Sequence, residues 1–172
     1  MPQKRIAILG STGSIGCNAL EVIAHLGEPY RVAALSANRQ IDKLIQQAGK
    51  SKPTSIAVPD EAAKRAVAAQ CPNTALYVGP QGLAEMVRRD DVDIVLAAIV
   101  GAAGLPPVLS AVQAGKHIAL ANKESLVVAG SILIPEARRR NVQILPVLSE
   151  HSAGFQAMAC GRLNEVRRVI LT

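Results

Sequence analysis

Short apolar runs and stretches of helical periodicity alternate along the chain. Arg5–Leu9, Tyr30–Ser36, Ser55–Val58, Ala75–Val78, Ile94–Ala98, His117–Ala121 and Val142–Leu145 read as strands. Between them, Ser14–Leu26, Ile41–Gly49, Glu61–Ala69, Gly82–Arg89, Pro107–Ala114 and Ser131–Arg140 read as helices. Repeated strand–helix units with short turns predict a mostly parallel sheet covered on both faces, and right-handed crossovers make it a doubly wound α/β domain. After Leu145 the pattern changes: Ser149–Cys160 reads as a helix and Val166–Leu171 as a strand running into Thr172. A closing strand without a partner would leave an apolar edge that folded proteins usually cover, so the sequence reads as cut there.

Composition narrows this picture. The 172 residues suit one domain, and a 49% hydrophobic content is enough for a sizeable core. Tyr30, Tyr77 and Phe155 are the whole aromatic complement, so packing must come from small and branched aliphatics. A net charge of +6 favours anionic ligands. Arg138-Arg139-Arg140 and Arg167-Arg168 raise the question of nucleic acid. A solvated helix face and a strand edge account for both runs, and three scattered aromatics make no base-stacking platform, so no nucleic-acid partner is expected. Cys17, Cys71 and Cys160 are odd in number and far apart, which offers neither a metal knuckle nor a disulfide framework and fits a reducing cytoplasm. The N-terminus enters its first strand without a signal-peptide pattern. Ile94–Gly115 carries no charge, but Gly101, Gly104, Pro106 and Pro107 interrupt it, so strand, turn and helix is the reading rather than a membrane span.

Two segments carry chemistry. Gly10-Ser-Thr-Gly-Ser-Ile-Gly16 follows a strand and opens a helix, the context in which a glycine-rich turn binds a dinucleotide. Gly10 permits the tight turn, Gly13 the approach of a pyrophosphate, and Gly16 close helix–strand packing, while the helix N-terminus presents amide donors. A Rossmann-like NAD(P)-binding domain follows. The second strand ends in Ala37-Asn38-Arg39-Gln40 with no acid before Asp42, so Arg39 fits a ribose 2′-phosphate and NADPH is preferred over NADH. The other segment, Leu120–Gly130, places Asn122, Lys123 and Glu124 at the carboxyl end of a buried strand, where open α/β sheets bind ligands.

With both segments in view, the chain resembles the 1-deoxy-D-xylulose 5-phosphate reductoisomerase family. The resemblance runs through Ile8–Gly16, Gly104-Leu-Pro-Pro107, Gly115–Val127 and Ile144–Ser152, with Ala121-Asn-Lys-Glu-Ser-Leu126 the most specific block. Members use NADPH and a divalent metal, Mg²⁺ or Mn²⁺, to rearrange and reduce a phosphorylated ketose in the non-mevalonate isoprenoid pathway. The resemblance implies that Thr12, Gly13, Ser14 and Ile15 contact the cofactor phosphates, that Asn38, Arg39 and Gln40 sit at the 2′-phosphate, and that Asn122 and Glu124 also touch NADPH. It implies a substrate contact and catalytic role for Lys123, and puts Ser149 and Glu150 at the substrate and metal centre, Glu150 as a catalytic residue and metal ligand. Glu150 is also, by its chemistry, a hard oxygen donor of the kind these ions accept, beside a helix start. The implied division is a cofactor domain over residues 1–147 and the start of a catalytic, metal-binding region over 148–172.

One departure bears on the metal. Members read Val-Asp-Ser-Glu-His where this chain has Val147-Leu148-Ser149-Glu150-His151, and the Asp there is a metal ligand. Leucine has no donor atom; His151 is either a substitute ligand or a capping or packing residue. The leading expectation is therefore the NADPH-binding domain of a reductoisomerase without turnover as this chain. Two alternatives stand beside it: a non-catalytic NADP-binding module that has lost its metal site, and a different NADP-dependent dehydrogenase acting on an amino-acid aldehyde. A homodimer is compatible with the sequence, as is a monomer.

Overall fold

Thirteen strands and helices alternate without interruption up to the last strand in the structure, a computed structural model that describes residues 3–170. They are β1 (Lys4–Leu9), α1 (Ser14–Leu26), β2 (Tyr30–Ser36), α2 (Ile41–Ser51), β3 (Ser55–Val58), α3 (Glu61–Gln70), β4 (Ala75–Val78), α4 (Gly79–Met86), β5 (Ile94–Ala97), α5 (Leu105–Gln113), β6 (His117–Leu120), α6 (Glu124–Arg139) and β7 (Ile144–Pro146). A last helix, α7 (Ser149–Met158), follows. The strands form one sheet in the order β4-β3-β2-β1-β5-β6-β7, and every pairing is parallel. This is the doubly wound, Rossmann-like arrangement the alternation predicts.

Strand parity separates two cores. Ala7 and Leu9 pack with Met86, Val108, Ala111, Ile118 and Leu133 beneath α4, α5 and α6. Ile8, between them in sequence, points the other way and packs with Leu35, Leu44, Ile56 and Val67 beneath α1, α2 and α3. Each fully buried Leu or Ile contributes roughly 1.5–3 kcal/mol. Alanine fills the strand positions Ala7, Ala33, Ala34, Ala57 and Ala97, so the helices settle close to the sheet without aromatic side chains.

Beyond shifts of one to three residues at other element ends, four departures from the sequence expectation have a physical reason. Helix α4 starts at Gly79 rather than Gly82, because Pro80 is suited to a first helical turn. Helix α6 starts at Glu124, well before Ser131; its geometry breaks only at Ala129 (φ −135°, ψ 20°), next to Gly130. Strand β7 is displaced to Ile144–Pro146, since the pairing runs from Ile118 opposite Ile144 to Leu120 opposite Pro146. Residues 166–170 are irregular and exposed instead of forming the expected strand, and Leu171 and Thr172 lie outside the described residues. A strand requires a neighbour to hydrogen-bond, and no described element pairs with this segment.

Two ion pairs tie the end of the sheet opposite the strand carboxyl termini. The Asp93 carboxylate accepts from the Arg5 main chain at 2.8 Å and from its guanidinium at 2.9 and 2.7 Å. Asp91 takes a two-pronged contact from Arg89 at 2.7 and 2.9 Å and the Thr54 hydroxyl at 2.6 Å, while Arg89 also reaches the Tyr77 hydroxyl at 3.2 Å. Arg89 above all holds the Asp91 carboxyl down at about 2. Because the folded state lowers this pKa, the stabilisation is complete above the ordinary Asp range and disappears as pH falls from about 4 towards 2. Asp91→Asn should therefore cost about 2 kcal/mol at pH 7 and flatten the acid limb of the stability curve, read by urea unfolding across that pH range.

Candidate functional site

The direction of strand progression reverses between β1 and β5, and the crevice above their carboxyl ends is where ligands bind in such sheets. The first wall is the turn from β1 into α1. Gly10 has φ +79°, and a Cβ there would meet the Ala98 carbonyl oxygen at 2.9 Å. At Gly16 a Cβ would stand 2.5 Å from both the Gly10 oxygen and the Ser11 Cα, so α1 and the turn touch backbone to backbone. Gly13 precedes α1 in extended conformation, and no side chain caps the helix. The amides of Ser14, Ile15 and Gly16 consequently lack intrahelical acceptors and face the crevice end with the positive end of the helix dipole.

Strand β2 and helix α2 fix that turn. The Gly10 amide donates to the Ser36 hydroxyl at 3.1 Å, and the Ser11 amide to the Ser36 carbonyl at 2.9 Å. Gln47 donates to the Ser11 carbonyl at 2.8 Å and accepts from the Ser11 hydroxyl at 2.7 Å; the Lys43 ammonium donates to the Thr12 carbonyl at 3.0 Å. Ser11 and Thr12 are buried, whereas Gly13 and Ser14 are exposed. Sequence reasoning missed Lys43 and Gln47. The available signal was their one-turn separation along α2, beside the buried Leu44 and Ala48. Asn38, Arg39 and Gln40 form the exposed link from β2 to α2, and Arg39 makes no ion pair among the described residues.

The second wall is built on Asn122, which is 2% exposed. Its Nδ2 donates to the carbonyls of Ile99 and of Gly101, the latter at 2.9 Å. Its Oδ1 accepts from the Ser125 amide at 2.9 Å and from the Ser125 hydroxyl at 3.3 Å. One amide thus supports the turn after β5 and caps the start of α6. Gly104 is required beside it, since a Cβ there would lie 2.7 Å from Nδ2. The side chain's donors and acceptor are thereby all committed within the protein. Lys123 is exposed and Glu124, the first residue of α6, is half-buried.

The Val147 amide donates to the Leu120 carbonyl at 2.9 Å, setting the start of α7 beside the end of β6. Ser149 and Glu150, both exposed, open α7 within the electrostatic reach of Lys123. The Glu150 carboxyl lies below the usual range, held there first by its own main-chain amide, then by the Ser149 side chain, with Lys123 and His151 adding to the effect. Among the described residues, no three His, Cys, Asp or Glu side chains are placed to hold a metal ion. Glu150 is a lone carboxylate donor beside Leu148, and this donor set does not fit a divalent cation that demands several oxygen ligands. No helix among the described residues is long and apolar enough to cross a membrane.

Comparison with known proteins adds sequence and structural likeness. The family model described as 1-deoxy-D-xylulose 5-phosphate reductoisomerase matches residues 6–130. The protein of that name from Bacteroides fragilis is 47% identical over 173 residues, covering 99% of this chain and 44% of its own length. A solved DOX-P reductoisomerase in complex with NADPH, fosmidomycin and magnesium superposes with a TM-score of 0.85 at 42% identity, over 89% of this chain and 38% of that one. The Zymomonas mobilis 1-deoxy-D-xylulose 5-phosphate reductoisomerase, solved with NADPH, gives 0.82 at 37% identity, over 90% and 41%. The chain spans less than half the length of the curated relatives it matches.

Asn122→Ala should strand two carbonyls and the Ser125 amide in a buried place. A loss of about 2–3 kcal/mol in chemical unfolding is expected, with faster amide exchange at Ser125 as the local signature.

Proposed function

Because the chain belongs to the 1-deoxy-D-xylulose 5-phosphate reductoisomerase family, we propose that residues 1–147 are an NADPH-binding domain and that residues 148–172 begin a catalytic region. The observation that carries the proposal is the set of free first-turn amides of α1 facing the switch between β1 and β5, with Arg39, which forms no ion pair among the described residues, one strand away. Thr12, Gly13, Ser14 and Ile15 line the pyrophosphate, with the free amides of Ser14 and Ile15 as its main-chain donors, while the Gly13 amide donates to the Gly10 carbonyl at 3.1 Å and holds the turn. Asn38, Arg39 and Gln40 receive the adenosine 2′-phosphate, Arg39 by a two-pronged guanidinium contact. Glu124 and the main chain of Asn122 border the other half of the cofactor.

In the longer enzyme, the proposed reaction is the rearrangement of 1-deoxy-D-xylulose 5-phosphate and its reduction to 2-C-methyl-D-erythritol 4-phosphate, in the cytoplasm and without a nucleic-acid partner. NADPH, when bound, supplies the hydride. This chain contributes position and charge: Lys123 presents an ammonium to the phosphorylated substrate, while Ser149 and Glu150 offer a hydroxyl and a carboxylate at the neighbouring strand end. Leu148 favours a second reading, an NADP-binding module without chemistry of its own, because it stands where members of the family carry a metal-ligating Asp.

Two measurements test these readings. NADPH should bind more tightly than NADH, and Arg39→Ala should weaken NADPH by about 1.5–3 kcal/mol while sparing NADH; equal losses for both would remove Arg39 from the 2′-phosphate. In calorimetric titration with Mn²⁺, Leu148→Asp should bind more tightly than the parent, and the parent should show no Mn²⁺-dependent NADPH oxidation with the ketose phosphate. Equal metal affinity would mean that position 148 is not the ligand position.

A further inference from the structure

Lys43 belongs to no residue set that the glycine turn or the β2–α2 link defines by sequence, yet its ammonium is anchored at the turn. It stands in the first turn of α2 and donates one hydrogen bond, at 3.0 Å, to the main-chain carbonyl of Thr12. An ammonium has three donors. Among the described residues no carboxylate pairs with it, Asp42 next to it included. The anchoring group is neutral, so Lys43 retains its whole charge beside the turn proposed to hold a cofactor. The residue is exposed, which leaves the ammonium's other two donors open to solvent. Arg39 lies just before the same helix, so two cations flank the start of α2. Gln47, one turn further on, differs: its amide oxygen and nitrogen are both spent on Ser11, so it shapes the turn and carries no charge to a ligand.

We propose that Lys43 is a specificity-determining residue, the second cation for the ribose 2′-phosphate of NADPH, held in position by the Thr12 carbonyl and sharing the phosphate with Arg39. The inference rests on the NADPH reading above. It separates two tasks on one helix: Lys43 discriminates between phosphorylated and unphosphorylated ribose, and Gln47 supports whatever dinucleotide the turn accepts.

The test is equilibrium titration of the 172-residue chain with NADPH, NADH, 2′,5′-ADP and 5′-AMP, with thermal unfolding to establish that each variant is folded. Lys43→Met and Lys43→Gln should each weaken NADPH and 2′,5′-ADP about tenfold more than they weaken NADH and 5′-AMP. Lys43→Arg should keep the preference, whereas Gln47→Ala should weaken NADPH and NADH alike. Equal loss for both coenzymes in the Lys43 variants would make Lys43 a support of the turn only, and unchanged binding of all four ligands would remove it from the site; either result overturns the inference. A parent chain that does not prefer NADPH to NADH would overturn the cofactor reading itself, a result distinct from a parent that prefers NADPH and variants that preserve the preference.

Discussion

The cofactor end of the molecule depends on a backbone-to-backbone contact with no space for a methyl group. Helix α1 lies on the turn that follows β1 so closely that a Cβ on Gly16 would overlap the Gly10 carbonyl and the Ser11 Cα. That approach directs the free amides of α1 over the strand ends and explains why the turn is gripped from so many sides. Ser36 holds it from β2, Gln47 and Lys43 from α2, and the Ala98 carbonyl, just past β5, leaves Gly10 no room for a Cβ. A glycine at either position is thus a condition for the amides being presented at all, before any ligand contact is counted.

The opposite wall of the crevice solves a similar problem with a side chain. Four hydrogen bonds converge on Asn122, and they join the turn after β5 to the start of α6. A buried amide that satisfies both its donors and its acceptor fixes geometry more strictly than apolar packing would, because any displacement strands several polar groups at once. Lys123 and Glu124 inherit their placement from it. The polar triplet Asn122-Lys123-Glu124 therefore divides its labour, with the first residue building the platform and the next two presented from it.

The fold was legible because each signal involved was local. Alternating periodicity, the glycine turn and the absence of an acid at the end of β2 all sit within single elements, and the strand and helix succession up to β7 follows from them. The early start of α6 was not legible, since it depends on the Asn122 cap. The anchoring roles of Lys43 and Gln47 were likewise hidden: they arise from α2 packing against a turn far away in sequence, and a Lys and a Gln on an amphipathic helix look like ordinary surface residues. Residues 166–170 show the opposite failure. Their β-branched composition suits a strand, but composition supplies no hydrogen-bonding neighbour.

The strand order also bears on how the protein comes off the ribosome. β1 is made first and lies at the middle of the sheet, with β2 on one side and β5 on the other. The units through β4 can assemble as soon as they emerge, covering Ile8 with α1, α2 and α3. Until β5 is synthesised, the other edge of β1 has no strand against it, and the opposite face, with Ala7 and Leu9, has only α4 to cover it. A nascent half-sheet of this kind exposes an unpaired parallel edge and an apolar face together, the combination most prone to wrong association. Translation through the β4–β5 segment is thus the interval in which this chain most needs protection by chaperones, and synonymous changes that slow elongation there would lower its soluble yield without altering a single residue.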